Sequence, residues 1–467
     1  MKRDIIRLFV TNIIKMSVTL LTAFVVPIVL SVNDYGYLKL YQFYVSYIGV
    51  SHLGYCDGIY LYYGGMDINS IDRIQLSLEH NTLLLYEIFV ACCFLLYSIV
   101  NRDFIILVLA FTIVPAVLST LYIYIYQATG ELKIYSKLVN FTTICNLIII
   151  TGLVFASIKN YKFYIVANCF VQWIMFAAGW ISFQRRIIMG KIRFSVKVFI
   201  KYVQMGVLLT IGNFIYALFI GIDKWFINKN LDISQFSFYS FAAQMVTVVN
   251  MIVSPIAMTL YSHLSREKNK NFEIRIKRLL VVILMLIPLS INCIELIVCN
   301  FLSSYIPAVD VIRILLVSQL FLVLNTTVFV NLFKVYKKQK DYFIRLCIAV
   351  VVALLLNILI CIYSPNIVAF SIATMFSMIV WLLLNLNYFY YLKPEMKELI
   401  YMVGLLLLYA FLLKTDIIVR IAAYFTIYLL ATKYLMREEW NYLFSQIQEI
   451  YIKIRKIFVN KKRRLMK

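Results

Sequence analysis

Polar residues recur every three or four positions in two otherwise apolar segments of the chain. The first such seam comprises Lys39, Gln42, Ser46, Gly49, His52 and Cys56, and the second comprises Ser237, Ser240, Gln244, Thr247, Asn250 and Ser254. This spacing places each set along one face of a helix. The segments before them carry shorter seams, which include Lys15 in one case and Asn213 and Tyr216 in the other. Ammonium, amide, hydroxyl and imidazole groups arranged in this way can line a hydrated path and bind a polar solute.

The composition shows which elements must carry these seams. Of the 467 residues, 63% are hydrophobic and 14% are charged, and the mean hydropathy is +0.87. A soluble globule cannot cover so many apolar residues, and a transmembrane helix needs about 20 of them in succession. Fourteen spans are predicted, at 9–31, 38–63, 81–100, 104–126, 136–158, 163–184, 203–228, 236–260, 279–301, 311–333, 342–363, 366–391, 396–413 and 417–436. The predicted fold class is an all-α integral membrane protein.

The basic residues support this division into spans. With the amino terminus inside, most of the 45 Lys and Arg residues lie in segments assigned to the cytoplasm, where such residues are favoured. The densest blocks are 185–201, 266–278 and 334–345, and a basic amphipathic tail follows Arg437. Both termini are therefore predicted to be cytoplasmic. The net charge of +23 is spread over these loops, which favours anionic lipid headgroups over nucleic acid as the partner.

The sequence carries no pattern typical of a catalytic, nucleotide or metal site. The three histidines are scattered, the nine cysteines form no CxxC pair, and no P-loop, GxGxxG or GxSxG occurs. We therefore predict no catalytic residues, no cofactor and no metal. A bundle with this many spans and no catalytic groups is typical of a transporter.

The chain also resembles itself at an offset of about 200 residues. Tyr35-Gly36-Tyr37-Leu38 aligns with Phe236-Ser237-Phe238-Tyr239, and Lys39 then falls on Ser240. The two seams are thus related by a parallel repeat, and substrate sites in such transporters lie between the repeats. We predict two six-helix lobes, 1–190 and 191–392, followed by two helices and the tail at 393–467, with the seams facing a central cavity. Ordinary helix packing through small and polar residues is the alternative.

Carboxylates within spans are candidates for ion coupling because burying a charge is costly. Asp57 and Glu87 lie inside the second and third spans, and Asp223 adjoins Lys224 in the seventh. For Asp57 and Glu87 the alternative is a structural bond to a neighbouring helix. For Asp223 and Lys224 it is an ion pair with each other at the membrane surface.

Several short motifs resemble a known superfamily. They are Val25-Val26-Pro27, Asn33-Asp34-Tyr35-Gly36-Tyr37, Leu53-Gly54-Tyr55-Cys56-Asp57, Tyr63-Gly64-Gly65, Ile222-Asp223-Lys224-Trp225-Phe226-Ile227 and Phe238-Tyr239-Ser240-Phe241-Ala242. Together they look like the polysaccharide flippases, of the O-antigen type, of the multidrug, oligosaccharidyl-lipid and polysaccharide exporter superfamily. The sequence departs from that pattern where Lys224 replaces the usual arginine and where an arginine ending the second helix is missing.

The resemblance implies a function, a location and partners. It implies alternating-access export of an undecaprenyl-pyrophosphate-linked oligosaccharide, an O-antigen or capsule unit, across the bacterial cytoplasmic membrane. A polysaccharide polymerase and a chain-length regulator would be partners, and Lys15 and Lys39 would attract the phosphates. A cation-coupled multidrug exporter of the same superfamily and, from a different class, a membrane-embedded polysaccharide polymerase are the alternatives.

Overall fold

The computed structural model describes residues 2–184, 192–266 and 269–445, and within these ranges it contains helices and no strand. The first half of the chain forms α1 (Lys2–Val29), α2 (Val32–Val45), α3 (Tyr55–Tyr62), α4 (Arg73–Asn101), α5 (Phe104–Ala128), α6 (Leu132–Phe155), α7 (Tyr161–Phe183), α8 (Val196–Asn230) and α9 (Ile233–Arg266). The second half forms α10 (Lys270–Leu284), α11 (Ile287–Phe301), α12 (Val309–Leu324), α13 (Val330–Val335), α14 (Gln339–Tyr363), α15 (Ile367–Tyr388), α16 (Met396–Leu412) and α17 (Ile417–Leu435).

Helices occupy all fourteen predicted spans, so the all-α membrane fold class is confirmed. Within the described residues, eleven helical segments are long and apolar enough to cross a membrane. The remaining predicted spans are the second, which is interrupted, the eighth, which lies on α9, and the thirteenth, which lies on α16, a helix of only 17 residues. The basic residues 185–191 and the tail from 446 lie outside the described residues.

Short polar side chains fix where several helices begin. The Asp103 carboxylate accepts hydrogen bonds from the backbone N–H groups of Ile105 (2.8 Å) and Ile106 (3.2 Å) at the start of α5. At the start of α7, the Asn160 side chain accepts one from Lys162 N–H at 2.9 Å. These caps satisfy N–H groups that have no partner inside the helix. They allow the loops between spans to remain short.

The second predicted span is not one helix, which corrects the prediction for 38–63. Helix α2 ends at Val45, a single 3-10 turn covers Ile48–Val50, and α3 begins at Tyr55. Between them Leu53 and Gly54 adopt left-handed backbone conformations, with φ of 51° and 95°. The first seam therefore does not lie along one continuous helix face. Lys39 and Gln42 belong to α2, whereas His52 lies in the break and Cys56 on α3.

The chain divides into two compact units. The first unit contains residues 1–251, 304–311 and 346–374, and the second contains 252–303, 312–345 and 375–467. In the first unit, α5 packs against α3, α4 and α7, and α1 packs against α6. The predicted division into lobes at 1–190, 191–392 and 393–467 stays a prediction.

In the second unit, the hairpin of α16 and α17 is held by buried charges. The Arg420 guanidinium donates to Glu295 Oε2 at 2.9 Å and to the carbonyl oxygens of Leu412, Leu413 and Thr415 near the end of α16. Arg313 pairs with the other oxygen of Glu295, at 2.6 Å. Because these contacts engage both the hairpin and α11, they fix the last two described spans against that helix.

Candidate functional site

Two cavities in the first unit share part of their lining. The larger, of about 190 Å³, is here named the amide cavity, and the smaller, of about 140 Å³, the lysine cavity. The polar residues of the amide cavity are Thr19, Thr22, Tyr35, Lys39, Gln42, Asn146, Asn168 and Gln244. Those of the lysine cavity are Lys39, Gln42, Ser46, Lys224, Ser240, Gln244 and Thr247. Lys39, Gln42 and Gln244 line both.

Lys39 lies at the junction of the two cavities. Its ammonium group donates to the side-chain carbonyl oxygens of Gln42 and Gln244, each at 3.0 Å. It also lies 5.1 Å from the centroid of the Tyr35 ring, a cation–π distance. Among the described residues, no carboxylate lies within 4.0 Å of this ammonium. Neutral dipoles therefore orient the charge of Lys39 without neutralising it.

Lys224 contributes a second cation to the lysine cavity. Its neighbour Asp223 is buried and accepts hydrogen bonds from the Tyr239 hydroxyl, from Thr374 Oγ1 at 2.8 Å, and from the backbone N–H of Lys224 at 2.7 Å. The two side chains do not form an ion pair with each other within 4.0 Å in the described structure. The carboxylate bonds to α9 and α15, whereas the ammonium lines the cavity and lies 5.8 Å from the Phe43 ring centroid.

Much of the hydrogen-bonding capacity of the two cavities is unused within the described part of the chain. Asn146 makes no side-chain hydrogen bond there, and the amide nitrogens of Gln42 and Gln244 donate to no described residue. Asn168 uses only its amide nitrogen, on the Tyr164 carbonyl oxygen at 2.8 Å. Polar groups at membrane depth require partners. Water or a polar solute can provide them here.

Six of the predicted cavity residues meet in the lysine cavity: Lys39, Gln42, Ser46, Ser240, Gln244 and Thr247. The structure places the others elsewhere. Lys15 and Asn213 are exposed on α1 and α8, Tyr216 and Asn250 are half-buried, and none of these four lines either cavity. His52 is buried in the helix break, where its Nδ1 accepts a hydrogen bond from Gly54 N–H at 3.1 Å.

The candidate ion-coupling carboxylates Asp57 and Glu87 also lie outside the two cavities. Asp57 on α3 accepts a hydrogen bond from the Thr210 hydroxyl of α8. Glu87 on α4 is fully buried and accepts one from Ser51 Oγ at 2.9 Å, while its Oε1 has no partner within the described residues. Both carboxylates make the bond to a neighbouring element that was the structural alternative.

Sequence reasoning missed three polar residues of the amide cavity, Tyr35 on α2, Asn146 on α6 and Asn168 on α7. Both asparagines lie within apolar spans and belong to neither seam. The available signal was the presence of an asparagine at that depth, where desolvating an amide is costly. It also missed Glu79, because the third span was predicted to begin at 81 and the helix begins at Arg73.

Beside the lysine cavity, aromatic rings gather around Trp225, which is 40% exposed. Its centroid lies 5.0 Å from that of Phe43, 5.5 Å from that of Tyr47 and 5.7 Å from that of Tyr44. Tyr41 is buried instead, with its hydroxyl 2.7 Å from Thr112 Oγ1. The aromatic surface available next to the cavity is therefore that of Tyr44, Tyr47 and Trp225.

Comparison with solved structures identifies the fold. One similar structure is described as the outward-facing conformation of a multidrug resistance MATE family transporter of the MOP superfamily. It has a TM-score of 0.53 and 14% identity, and the match covers 83% of this chain and 94% of that one. Another is a MOP superfamily transporter from Pyrococcus furiosus, described by a reverse polarity of its binding pocket that suggests a different function. It also has a TM-score of 0.53, with 12% identity, and the match covers 84% of this chain and 97% of that one.

The chain thus has the fold of these transporters and is a multi-pass membrane protein. No protein-family model matches the chain. No curated protein matches it either.

Proposed function

We propose that this protein is a flippase for an undecaprenyl-pyrophosphate-linked oligosaccharide. It would move the O-antigen or capsule unit from the inner to the outer leaflet of the bacterial cytoplasmic membrane by alternating access, with both of its termini in the cytoplasm. The proposal combines the transporter fold, the resemblance of the sequence motifs and the chemistry of the two cavities.

The observation that carries the proposal is the pair of cations in the lysine cavity. Lys39 and Lys224 line one space, and no aspartate or glutamate is among its lining residues. A diphosphate needs this arrangement, because its oxygens accept charge-assisted hydrogen bonds from ammonium groups and would be repelled by carboxylates. Gln42 and Gln244 already hold Lys39 in place, which lowers the cost of ordering its side chain when the anion binds.

The amide cavity suits the uncharged part of the same substrate. Sugar hydroxyl groups are both donors and acceptors, and the lining offers unused amide groups of both kinds. Since Lys39 borders both cavities, a sugar in the amide cavity would place its attached phosphate near Lys39 and Lys224. The polyprenyl chain can remain in the surrounding lipid, so only the polar headgroup requires a path through the protein.

Export of the oligosaccharide needs a source of energy. The sequence has no P-loop, so an ion gradient or consumption of the product on the outer leaflet would drive export. Asp57, Glu87 and Asp223 are the carboxylates through which an ion gradient would act.

A multidrug exporter fits the fold at least as well, since one similar structure is described as a multidrug resistance transporter. The lining separates the two functions. An exporter of organic cations needs negative or aromatic groups around its ligand. The aromatic surface at Trp225 meets part of that need, but neither cavity is lined by a carboxylate.

The test measures lipid-linked oligosaccharide on each leaflet in cells that lack the protein. We expect the intermediate to accumulate on the inner leaflet, and the intact chain to relieve the accumulation. Lys39→Ala and Lys224→Ala should fail to do so. Lys137→Ala is the matched control, because Lys137 is an exposed lysine on α6 that lines neither cavity.

Two other outcomes would overturn the proposal. Unpolymerised intermediate on the outer leaflet would indicate the polymerase alternative. Normal distribution of the intermediate, together with loss of efflux of a fluorescent organic cation, would indicate the multidrug exporter.

A further inference from the structure

Helices α3 and α8 approach so closely that their backbones touch at three glycines, Gly54, Gly58 and Gly206, here named the glycine contact. A Cβ atom on Gly58 would lie 2.0 Å from the carbonyl oxygen of Tyr202, and one on Gly206 would lie 2.0 Å from that of Gly54. Both distances are far below any normal contact. Only glycine allows the two helices to adopt this separation.

Two buried carboxylates reinforce the contact. Asp57 on α3 accepts the hydroxyl of Thr210 on α8. Glu79 on α4, which is fully buried, accepts the hydroxyl of Tyr202 on α8, that of Tyr63 at the end of α3 (2.8 Å) and the amide of Gln75 (2.8 Å). All four donors are neutral, so no ion pair must be broken to separate the helices.

The break before α3 gives it freedom from α2. The segment from Ser46 to Gly54 contains one 3-10 turn and two residues with positive φ, in place of a continuous ladder of helical hydrogen bonds. Hinges in transporters consist of such short segments, which absorb changes in backbone angle. Helix α2, which carries Lys39 and Gln42, can therefore keep its place while α3 moves.

The glycine contact lies between the cavities and the end of α8 that is predicted to face the cytoplasm. Helix α2, before the break, lines both cavities. The glycine contact lies beyond α2, where Gly54 at the end of the break and Gly58 on α3 meet α8. Helix α8 begins at Val196, within the basic block 185–201 that is predicted to face the cytoplasm. Moreover, α3 and α8 belong to different halves of the predicted repeat.

We propose that the glycine contact is a reversible gate on the cytoplasmic side of the cavities, with the Tyr202–Glu79 hydrogen bond as its latch. The proposal rests on the proposed transport function. Smooth glycine surfaces can part and close again without interlocked side chains, and in a membrane no hydrophobic force opposes the parting. When α3 and α4 part from α8, Glu79 keeps the hydrogen bonds from Tyr63 and Gln75, so this buried carboxylate is not left without donors.

Hydrogen–deuterium exchange of the full chain in lipid nanodiscs tests the latch. Tyr202→Phe removes one hydroxyl and leaves the space unchanged. We expect amide exchange in α3 to become about tenfold faster, as for the loss of one hydrogen bond to a charged acceptor, with α5 unchanged. Unchanged exchange in α3, or an equal rise in α5, would overturn the gate in favour of fixed packing.

A second pair of variants tests the closed state through transport. Gly206→Ala places a Cβ where the carbonyl oxygen of Gly54 lies, so it should prevent closure, speed exchange in α3 and stop flipping. Gly212→Ala is the matched control on the same helix, since its Cβ would meet nothing within 4 Å. Flipping at the intact rate by Gly206→Ala would overturn the gate and leave the proposed function standing. A third outcome separates the two proposals. If the intact chain flips no lipid-linked oligosaccharide but Tyr202→Phe still speeds exchange in α3, the gate is supported and the proposed substrate is rejected.

Discussion

Helices α2 and α3 come from one predicted span, yet their polar residues have opposite environments. On α2, the Lys39 ammonium has only neutral partners and the Gln42 amide nitrogen has none within the described structure. On α3, the Asp57 carboxylate is buried and bonded to Thr210, and glycines bring the backbone against α8. The comparison teaches that small and polar residues at helical spacing can line a cavity or close a contact. What the facing helix contributes decides between the two.

The largest effect is expected from filling the glycine contact. Gly58→Val would place a Cβ 2.0 Å from the carbonyl oxygen of Tyr202, so α3 and α8 must separate. We expect a loss of about 3 kcal/mol or more in the free energy of unfolding, as for severe overpacking. Thermal unfolding in detergent measures it. Gly152→Val, where a Cβ meets nothing within 4 Å, is the control. Equal unfolding temperatures for the two variants would contradict the closeness of the contact.

A smaller loss is expected when Asp57 is deprived of its donor. Thr210→Val keeps the shape of the side chain but leaves a buried carboxylate oxygen without the Thr210 hydroxyl. The expected cost is about 2 kcal/mol in the free energy of unfolding. Thr247→Val, at an exposed threonine of the lysine cavity, should cost a few tenths of that value. If both variants unfold at the same temperature, the difference between the two regions disappears.

Removing Lys39, one of the two cations of the lysine cavity, should affect anion binding more than stability. Lys39→Met deletes a charge that has no acidic partner, so stability should stay the same or rise, while binding of inorganic pyrophosphate should weaken about tenfold. Calorimetric titration of the protein in nanodiscs measures the affinity, and Lys137→Met serves as control. A large loss of stability in Lys39→Met would mean that this lysine holds the fold together.

The smallest effect on stability is expected at the amide cavity. Asn146 makes no described side-chain hydrogen bond, so Asn146→Leu should change the free energy of unfolding by less than about 0.5 kcal/mol. The variant should instead transport the sugar-bearing lipid more slowly, while its affinity for pyrophosphate is retained. Loss of pyrophosphate binding in this variant would place the phosphate in the amide cavity.

The sequence predicted the membrane helices well because each span must bury about 20 apolar residues in lipid, and that requirement is local. The break after Val45 was not predictable in this way. Gly54 takes its left-handed conformation where the backbone of α8 leaves no room for a side chain, and that neighbour lies about 150 residues further along the chain.

Lys39, Gln42 and Gln244 were recognised because they belong to periodic seams. Lys224 was named as a coupling candidate, but its place in the lysine cavity was not predicted, since adjacency to Asp223 suggested an ion pair. The direction in which each side chain leaves α8 decided otherwise: Asp223 bonds to α9 and α15, and Lys224 lines the cavity. Tertiary contacts, rather than sequence neighbours, set the partners of both.

The burial of Cys56 makes this thiol a natural probe of opening at the glycine contact. This thiol lies on α3, fully buried, one residue from Asp57, whereas Cys92, Cys93, Cys293 and Cys299 are exposed on their helices. A small water-soluble alkylating reagent can reach Cys56 only while α3 is displaced. The rate at which mass is added at this one position would then report how often the native protein opens, without any substitution.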